Sequence, residues 1–498
     1  MFSVELEDIN IEDIVLDTEI VRKIPEEIAR DNCLIPLKQV NGKLIVAVGK
    51  ELNLTLIEEL KFILGSQVLF FKANKKKILQ LINTYYCKQN LHHALKDIKL
   101  NENISKLTLN STSYRNKFQS SPVVKATNYI IDKAIDERAS DLHIEPFQNN
   151  VTIRMRIDGI IGEYIKIPAN IYPLICTRIK IMADMDIAEK RIPQDGKIKY
   201  VKQNLNYDLR VSTLPTIYGE KLVLRILYKD ESIKHLNTLG FLKEDEKKVR
   251  AMISRSHGLI LVVGPTGSGK TTTLYSILNT INKYEKNIVS IEDPVEYTVD
   301  NVNQVNVNSK IGLDFAQGLR SILRQDPDVI MLGEIRDEET AHIAIRAAVT
   351  GHLVISTLHT NDAIESIVRL KDMGVAQYFI EDALIGVISQ RLVRKICPYC
   401  KVEYISSSRE AKELNLSSNH VLYKGDGCAK CNCMGYKGRT VTYEIVNMHY
   451  IKKEYFKNNS SNIKDSIKKS NIVSLRQNCI QLVKSGVTTY EEFLRVSF

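Results

Sequence analysis

Residues 258–272 read GLILVVGPTGSGKTT. The apolar run Leu259 to Val263 has the composition of a buried strand, it breaks at Gly264-Pro265, and helical sequence resumes at Thr271 with TTTLYSILNTI. Inside the break, Gly264, Gly269, Lys270 and Thr271 satisfy G-x-x-x-x-G-K-[ST], the phosphate-binding loop. Glycines let the backbone curl so that several N–H groups converge on one phosphate cluster, beside a helix N-terminus that already favours anions. The contact set this implies is Gly264, Pro265, Thr266, Gly267, Ser268, Gly269, Lys270, Thr271 and Thr272. In it, Lys270 is the cation for the β- and γ-phosphates of ATP and the Thr271 hydroxyl holds Mg²⁺. A glycine-rich turn without ligand is the bland alternative. The strand before and the helix after are the context that the binding loop requires.

Downstream, strand-type runs at 287–293 (NIVSIED), 328–334 (DVIMLGE) and 352–358 (HLVISTL) alternate with helical sequence. That alternation predicts βαβ units and a mainly parallel sheet. Ligands of such sheets sit at the carboxyl ends of the strands, and each run ends in residues suited to chemistry. SIEDPVEY (290–297) clusters Glu292, Asp293 and Glu296 at a proline-fixed turn, suited to supporting a bound metal or placing water. DVIMLGEIRD (328–337) ends a hydrophobic strand in Glu334, the choice for general base toward an attacking water. TGHLVISTLHTN (350–361) brackets a strand with His352 and His359, which at that position hydrogen-bond a γ-phosphate.

Upstream, residues 1–87 read as a small α/β interaction module: IPEEIARDNCLIPL as a helix entering a strand, GKLIVAVGK as a second strand. Residues 88–117 are polar and poor in aromatics, which predicts a flexible linker. Residues 118–235 combine a helix from Pro122 with short strands (NVTIRMRIDGII, GKIKYVKQN, YDLRVSTLPT, KLVLRILYK), an α+β domain carrying Arg154, Arg156, Arg210 and Arg225 on or beside strands. Residues 236–498 complete the nucleotide domain. Within it, Cys397-Pro-Tyr-Cys400 and Cys428-Ala-Lys-Cys431 are two C-x-x-C pairs, a spacing that brings four thiolates onto one Zn²⁺. A helix (REAKELNL) fills the gap between them, Cys433 is a bystander, and a helical basic tail follows.

At 498 residues the chain is too long for one core. With 44% apolar residues and no run approaching the roughly 18 that cross a bilayer, it reads as a soluble cytoplasmic protein. Its acidic start, MFSVELEDIN, is not a signal peptide. The net charge of +10 is uneven: residues 1–30 hold nine acidic and three basic side chains, residues 71–118 ten basic and two acidic, residues 421–498 thirteen basic and six acidic. Solvated lysines on exposed segments account for this more simply than nucleic acid, because no basic stripe is interleaved with aromatics.

Taken in order, GPTGSGKTT, SIEDPVEY, LRQDPDVIMLGEIRDEETA, TGHLVISTLHTNDA and the paired C-x-x-C motifs resemble the type II secretion and type IV pilus assembly ATPases. ASDLHIEP (139–146), IRMRIDG (153–159), RIPQDGKI (191–198) and DLRVSTLPTIYGEKLVLRIL (208–227) extend the match back to about residue 118. The resemblance implies a RecA-like C-terminal domain with a mainly parallel sheet, a PAS-like middle domain and a small α/β N-terminal domain. It implies a homo-hexamer that binds ATP between the middle and C-terminal domains and turns an inner-membrane platform protein, with membrane association indirect and no nucleic acid. Family boxes fall on 264–271, 291–297, 323–337 and 350–361. Middle-domain arginines reach the phosphates in this family, and Arg210 and Arg225 are the positions carried over, ahead of Arg154 and Arg156. Glu334 is then the base, with Glu296 assisting and Lys270 neutralising charge. The tetracysteine segment favours assembly over retraction. The RLGxxLV signature for cyclic di-GMP is not found, and that ligand is not expected. The rival readings are a DNA-translocating motor and a non-hydrolysing ATP-binding regulatory subunit.

Overall fold

The computed structural model describes residues 7–85, 122–228, 235–448 and 472–496, with short internal breaks. The expected linker at 88–117 and residues 449–471 of the basic tail lie outside the described residues. No helix among the described residues is long and apolar enough to cross a membrane. The chain divides into two compact units. One comprises Met1–Lys229, Cys397–Lys401 and Gly425–Lys437; the other comprises Asp230–Ile396, Val402–Lys424 and Gly438–Phe498.

In the first unit, after a single helical turn at Thr18–Val21, helix α1 (Glu26–Asn32) enters strand β1 (Leu34–Val40) through Cys33 in the left-handed conformation. Strands β2 (Lys43–Val48) and β3 (Val68–Lys72) complete a three-stranded sheet in which β1–β2 is antiparallel and β2–β3 parallel. The helix-to-strand reading of IPEEIARDNCLIPL and the strand at GKLIVAVGK both match this order.

Next comes an α+β body. Helix α2 (Pro122–Asp136) buries Val124, Thr127, Ile130, Ile131, Ala134 and Ile135, a spacing of three and four that presents one apolar face. It covers an antiparallel six-stranded sheet: β4 (Asp141–Pro146), β5 (Asn150–Ile157), β6 (Ile160–Pro168), β7 (Gln194–Lys202), β8 (Leu205–Thr216) and β9 (Gly219–Leu227), in the order β6-β5-β4-β9-β8-β7. Leu142, Ile144, Ile153, Met155, Leu209, Val211, Leu222 and Leu224 point into the core, and every intervening residue falls on the opposite face. Helix α3 (Tyr172–Met182) packs on the same core and carries Lys180, fully buried, with its Nζ 2.8 Å from Glu220 Oε1 and 2.6 Å from the Glu189 carbonyl. Neither ion is left without a partner, which is what makes two buried charges tolerable here.

The second unit starts with helix α4 (Lys243–Ile253) and is organised on a seven-stranded sheet. Its strands are β10 (Gly258–Val263), β11 (Ile288–Glu292), β12 (Asn303–Asn306), β13 (Val329–Leu332), β14 (Leu353–Leu358), β15 (Leu384–Ile396) and, after the two-stranded β16 (Lys401–Ile405) and β17 (Val421–Gly425), β18 (Tyr436–Asn447). The order is β12-β11-β13-β14-β10-β15-β18, and β12 through β15 pair in parallel. All six residues of β10 are buried: Leu259, Leu261 and Val263 enter the core on one face, Ile260 and Val262 that on the other. Burial on both faces is why GLILVV reads as a continuous apolar run instead of an alternating one. Helices α5 (Lys270–Thr280), α6 (Phe315–Ile322), α7 (Glu338–Val349) and α8 (Ala363–Asp372) follow individual strands, and the last three begin on Asp314, Asp337 and Asp362, whose carboxylates accept a backbone N–H in the first turn.

Candidate active site

The loop from Gly264 to Gly269 joins β10 to α5. Gly264, Gly267 and Gly269 have φ of 149°, 78° and 88°, conformations that any side chain would strain. At Gly264 a Cβ would come within 2.4 Å of the Gln390 carbonyl, whereas Gly267 has open space around it. Ser268 Oγ is buried, with no hydrogen-bond partner among the described residues. Lys270 Nζ lies against the loop, donating to the Gly264 carbonyl at 2.7 Å and the Pro265 carbonyl at 3.1 Å. Thr271 is exposed at the start of the helix, with Thr272 half-buried behind it. An open glycine cradle at a helix N-terminus, an orphan buried hydroxyl and an adjacent ammonium fit a nucleotide's phosphates and their Mg²⁺.

Strand order places β14 between β13 and β10, so the end of β14 separates the phosphate loop from the end of β13. Glu334 lies two residues past β13 and His359 one past β14, and Glu334 Oε2 is 3.1 Å from His359 Nε2. Arg336 donates to Glu334 Oε1 at 2.5 Å and reaches Asp293 Oδ2 at 3.3 Å. Burial works against ionising Glu334, but Arg336 and then His359 outweigh it and hold the carboxyl below the ordinary glutamate range. Burial lowers the pKa of Lys270, and the Glu334 carboxylate opposes that shift. Glu334 is therefore an ionised carboxylate whose field reaches the loop lysine.

Two expectations change at this point. His352 precedes β14: its ring Nδ1 is 3.0 Å from the Ala347 carbonyl and its own carbonyl accepts from Gly258 N–H at the start of β10. It therefore lies at the amino end of the sheet, the full length of β10 from the loop, and only His359 of the pair reaches the carboxyl ends. Glu292 does not face a ligand. Tyr275 Oη at 2.5 Å, Ser290 Oγ at 2.7 Å and Gln304 Nε2 at 3.1 Å occupy it in the core. Tyr275, on α5, also accepts from the backbone N–H of Glu296 at 3.3 Å and of Tyr297 at 3.4 Å, which ties the segment carrying Glu296 to the helix that starts at the loop. Nothing in the sequence marked Tyr275 or Arg336; Arg336 stood in plain view inside GEIRD.

In the first unit, the outer face of the six-stranded sheet is a charged surface. One row runs straight across five strands: Lys197, Arg210, Arg225, Asp141 and Arg156. Arg225 Nε is 2.9 Å and Arg156 Nε 3.6 Å from Asp141, while Arg154 and Lys221 each lie 2.7 Å from Glu145. Arg210 and Arg225, opposite one another on β8 and β9, line a concavity of about 510 Å³ with Asp195, Lys197 and Ser212. The arginines singled out in the sequence share one face: Arg154 pairs with Glu145, Arg156 and Arg225 pair with Asp141, and Arg210 and Arg225 border the concavity.

Cys397, Cys400, Cys428 and Cys431 converge so that all four Sγ atoms lie within 4.8 Å of one another, the one such cluster of His, Cys or acidic side chains among the described residues. The Cys397–Cys428, Cys400–Cys431 and Cys428–Cys431 sulfurs are 3.8, 3.8 and 3.7 Å apart. A tetrahedral ion with Zn–S bonds of about 2.3 Å spaces its sulfurs by about 3.8 Å, so the donor set fits Zn²⁺. Cys397–Lys401 and Gly425–Lys437, which carry the four cysteines, group with the first compact unit. Asn432 donates to Glu137, and Cys433 packs against the N-terminal core, where burial pushes its thiol up to about 12.

A mainly parallel sheet with a phosphate loop after one strand, and an ionised glutamate two strands over, defines a RecA-like P-loop ATPase. The solved structure of the Legionella pneumophila ATPase DotB shares this fold, with a TM-score of 0.56 over 74% of this chain and 94% of its own at 18% identity. The chain belongs to the family described as Type II/IV secretion system protein, whose model matches residues 116–495. A model described as the MshEN domain matches residues 2–89. The type IV pilus assembly ATPase PilB of Myxococcus xanthus (strain DK1622) is 38% identical over 495 residues, 97% of this chain and 88% of its own. Type II secretion system protein E of Dickeya dadantii (strain 3937) is 44% identical over 377 residues, 76% of each chain.

Proposed function

We propose that this ATPase is a Mg²⁺-dependent homo-hexameric motor that drives assembly of a type IV pilus or a type II secretion pseudopilus through an inner-membrane platform protein, at the cytoplasmic face of the membrane. The observation that carries this reading is Glu334, ionised and braced by Arg336 and His359 at the end of β13, two strands over from the phosphate loop. In the reaction, the loop amides and Lys270 hold the β- and γ-phosphates, and Glu334 accepts a proton from the water that attacks the γ-phosphorus. Mg²⁺, held through Thr271, supplies charge neutralisation when bound. Glu296 assists in placing the water, and His359 bonds the γ-phosphate. Arg210 and Arg225 supply further cations to the phosphates. An arginine in that role is worth about 10³–10⁵ in rate. The nucleotide set stays as 264–272 together with His359; His352 is left out. The four cysteines hold a structural zinc, closed to substrate by its four thiolates.

The experiment is phosphate release by the purified full chain, alone, with single-stranded DNA, and with the cytoplasmic part of the platform protein from the same cell. Stimulation by the platform protein and not by DNA is the expected result. Stimulation by DNA alone favours a translocating motor, and no phosphate release under any condition favours a regulatory subunit.

A further inference from the structure

We infer that Gln390, on β15, is a positioning residue that sets the shape of the phosphate loop from behind. This rests on the nucleotide site proposed above. Gln390 lies one residue past Ser389, the partner of the last β10 residue Val263, so it stands beside the loop as the loop leaves the sheet. It is 1% exposed and ends the fully buried stretch Leu384 to Gln390 of that strand. Its Nε2 donates to the Ser268 carbonyl at 2.8 Å, and its Oε1 accepts from Thr273 Oγ1 at 2.8 Å. A primary amide is the side chain that carries a donor and an acceptor on one planar head. Gln390 uses one for the loop and the other for the first turn of α5.

The consequence follows from peptide geometry. The Ser268 carbonyl and the Gly269 N–H belong to one trans peptide, so they point in opposite directions. Tying the carbonyl back to β15 turns the Gly269 N–H away from the strand, toward the open side of the loop where an anion sits. The strand backbone adds a second restraint. The Gln390 carbonyl and amide crowd the positions that a Cβ would take at Gly264 and Gly269, at 2.4 and 3.2 Å. Residues at both ends of the loop are thus fitted to Gln390. A loop with three positive-φ glycines has many conformations open to it; the two amide bonds select one.

The test uses the full-length protein with Gln390→Met, which keeps the volume and removes both bonds, and Thr273→Val, which removes one. For a fluorescent ADP, Gln390→Met is expected to raise Kd roughly tenfold or more, and Thr273→Val several-fold, as loss of two and one buried hydrogen bonds implies. KM for ATP should rise in parallel with a smaller change in kcat, and the melting temperature without nucleotide should stay within a few degrees. Because Thr273 acts through Gln390, adding Thr273→Val to Gln390→Met should cost nothing further. An unchanged Kd in Gln390→Met, or fully additive losses, overturns the assignment. If Gln390→Met does not fold, Thr273→Val decides alone: a raised Kd supports the role and an unchanged one ends it. Lys270→Ala run alongside separates the two readings. If it too leaves ADP binding unchanged, the nucleotide site itself is misplaced.

Discussion

Glu334 and His359 face each other from the ends of adjacent parallel strands, carboxylate to imidazole at 3.1 Å. The contact joins the end of β13 to the end of β14, the strand that neighbours β10 and its loop, and if Glu334 is the base proposed above it orients the carboxylate toward that loop. Substituting Glu334 by Gln preserves shape and hydrogen bonding to Arg336 but removes the proton acceptor. Turnover should fall by about 10²–10⁴, while the affinity for a fluorescent ATP analogue stays within a few-fold. Near-normal phosphate release from this variant would take the role of base away from Glu334.

Arg336 is the main group holding Glu334 in its charged form. Burial alone raises the Glu334 pKa, and the guanidinium reverses this. In Arg336→Ala the reversal is lost, so the carboxyl titrates higher and the acidic limb of the kcat/KM profile should move to higher pH. A pH profile superimposable on wild type would show that His359 suffices.

Zinc content is directly measurable. The purified chain should carry about one zinc, and Cys428→Ser with Cys431→Ser should reduce it to near zero with a lower melting temperature. Chelation of the wild type should reproduce the loss of stability. Full zinc occupancy in the double variant would reject the tetrathiolate.

Glu444, on β18, is buried, and burial followed by the charge of Asp362 pushes its carboxyl up to about 7 from an ordinary 4.5. Below the ordinary value it is neutral whether folded or not. As pH rises, the unfolded chain ionises first, so stability drains away until the folded group titrates near 7. Glu444→Gln should flatten the dependence of melting temperature on pH over this window. Above it the variant should be more stable than wild type, by at most roughly 3 kcal/mol. Parallel wild-type and variant curves would refute the assignment.

The nucleotide unit was readable from the chain because its signals are local. Five apolar residues before Gly264, the glycine spacing to Lys270, and strand-type runs leading into Glu334 and His359 all lie within short windows. What stayed hidden depends on partners distant in sequence. Glu292 looks catalytic in SIEDPVEY, and only the fold reveals Tyr275 and Gln304 closing over it. His352 and His359 are equivalent in a string, but a strand has two ends and only one carries ligands. The four-cysteine segment meets its surroundings through Asn432 and Cys433, whose neighbours Glu137 and Cys33 lie some 300 and 400 positions away. Gln390 was the one such residue with a local flag, an amide directly after the strand-like run LIGVIS. The row of charge through Arg210, Arg225 and Asp141 needed register, which alternation alone does not supply.

Lys180 and Glu220 also constrain what the sequence can become. Losing either one strands an ion in the core, at about 3–5 kcal/mol, whereas an apolar pair of similar volume in both places is often no less stable. Forty positions apart, the two residues must therefore change together or not at all. A lineage that departs from them has to cross an unstable intermediate, so the pair acts as an evolutionary lock on the middle sheet long after any advantage in stability has gone.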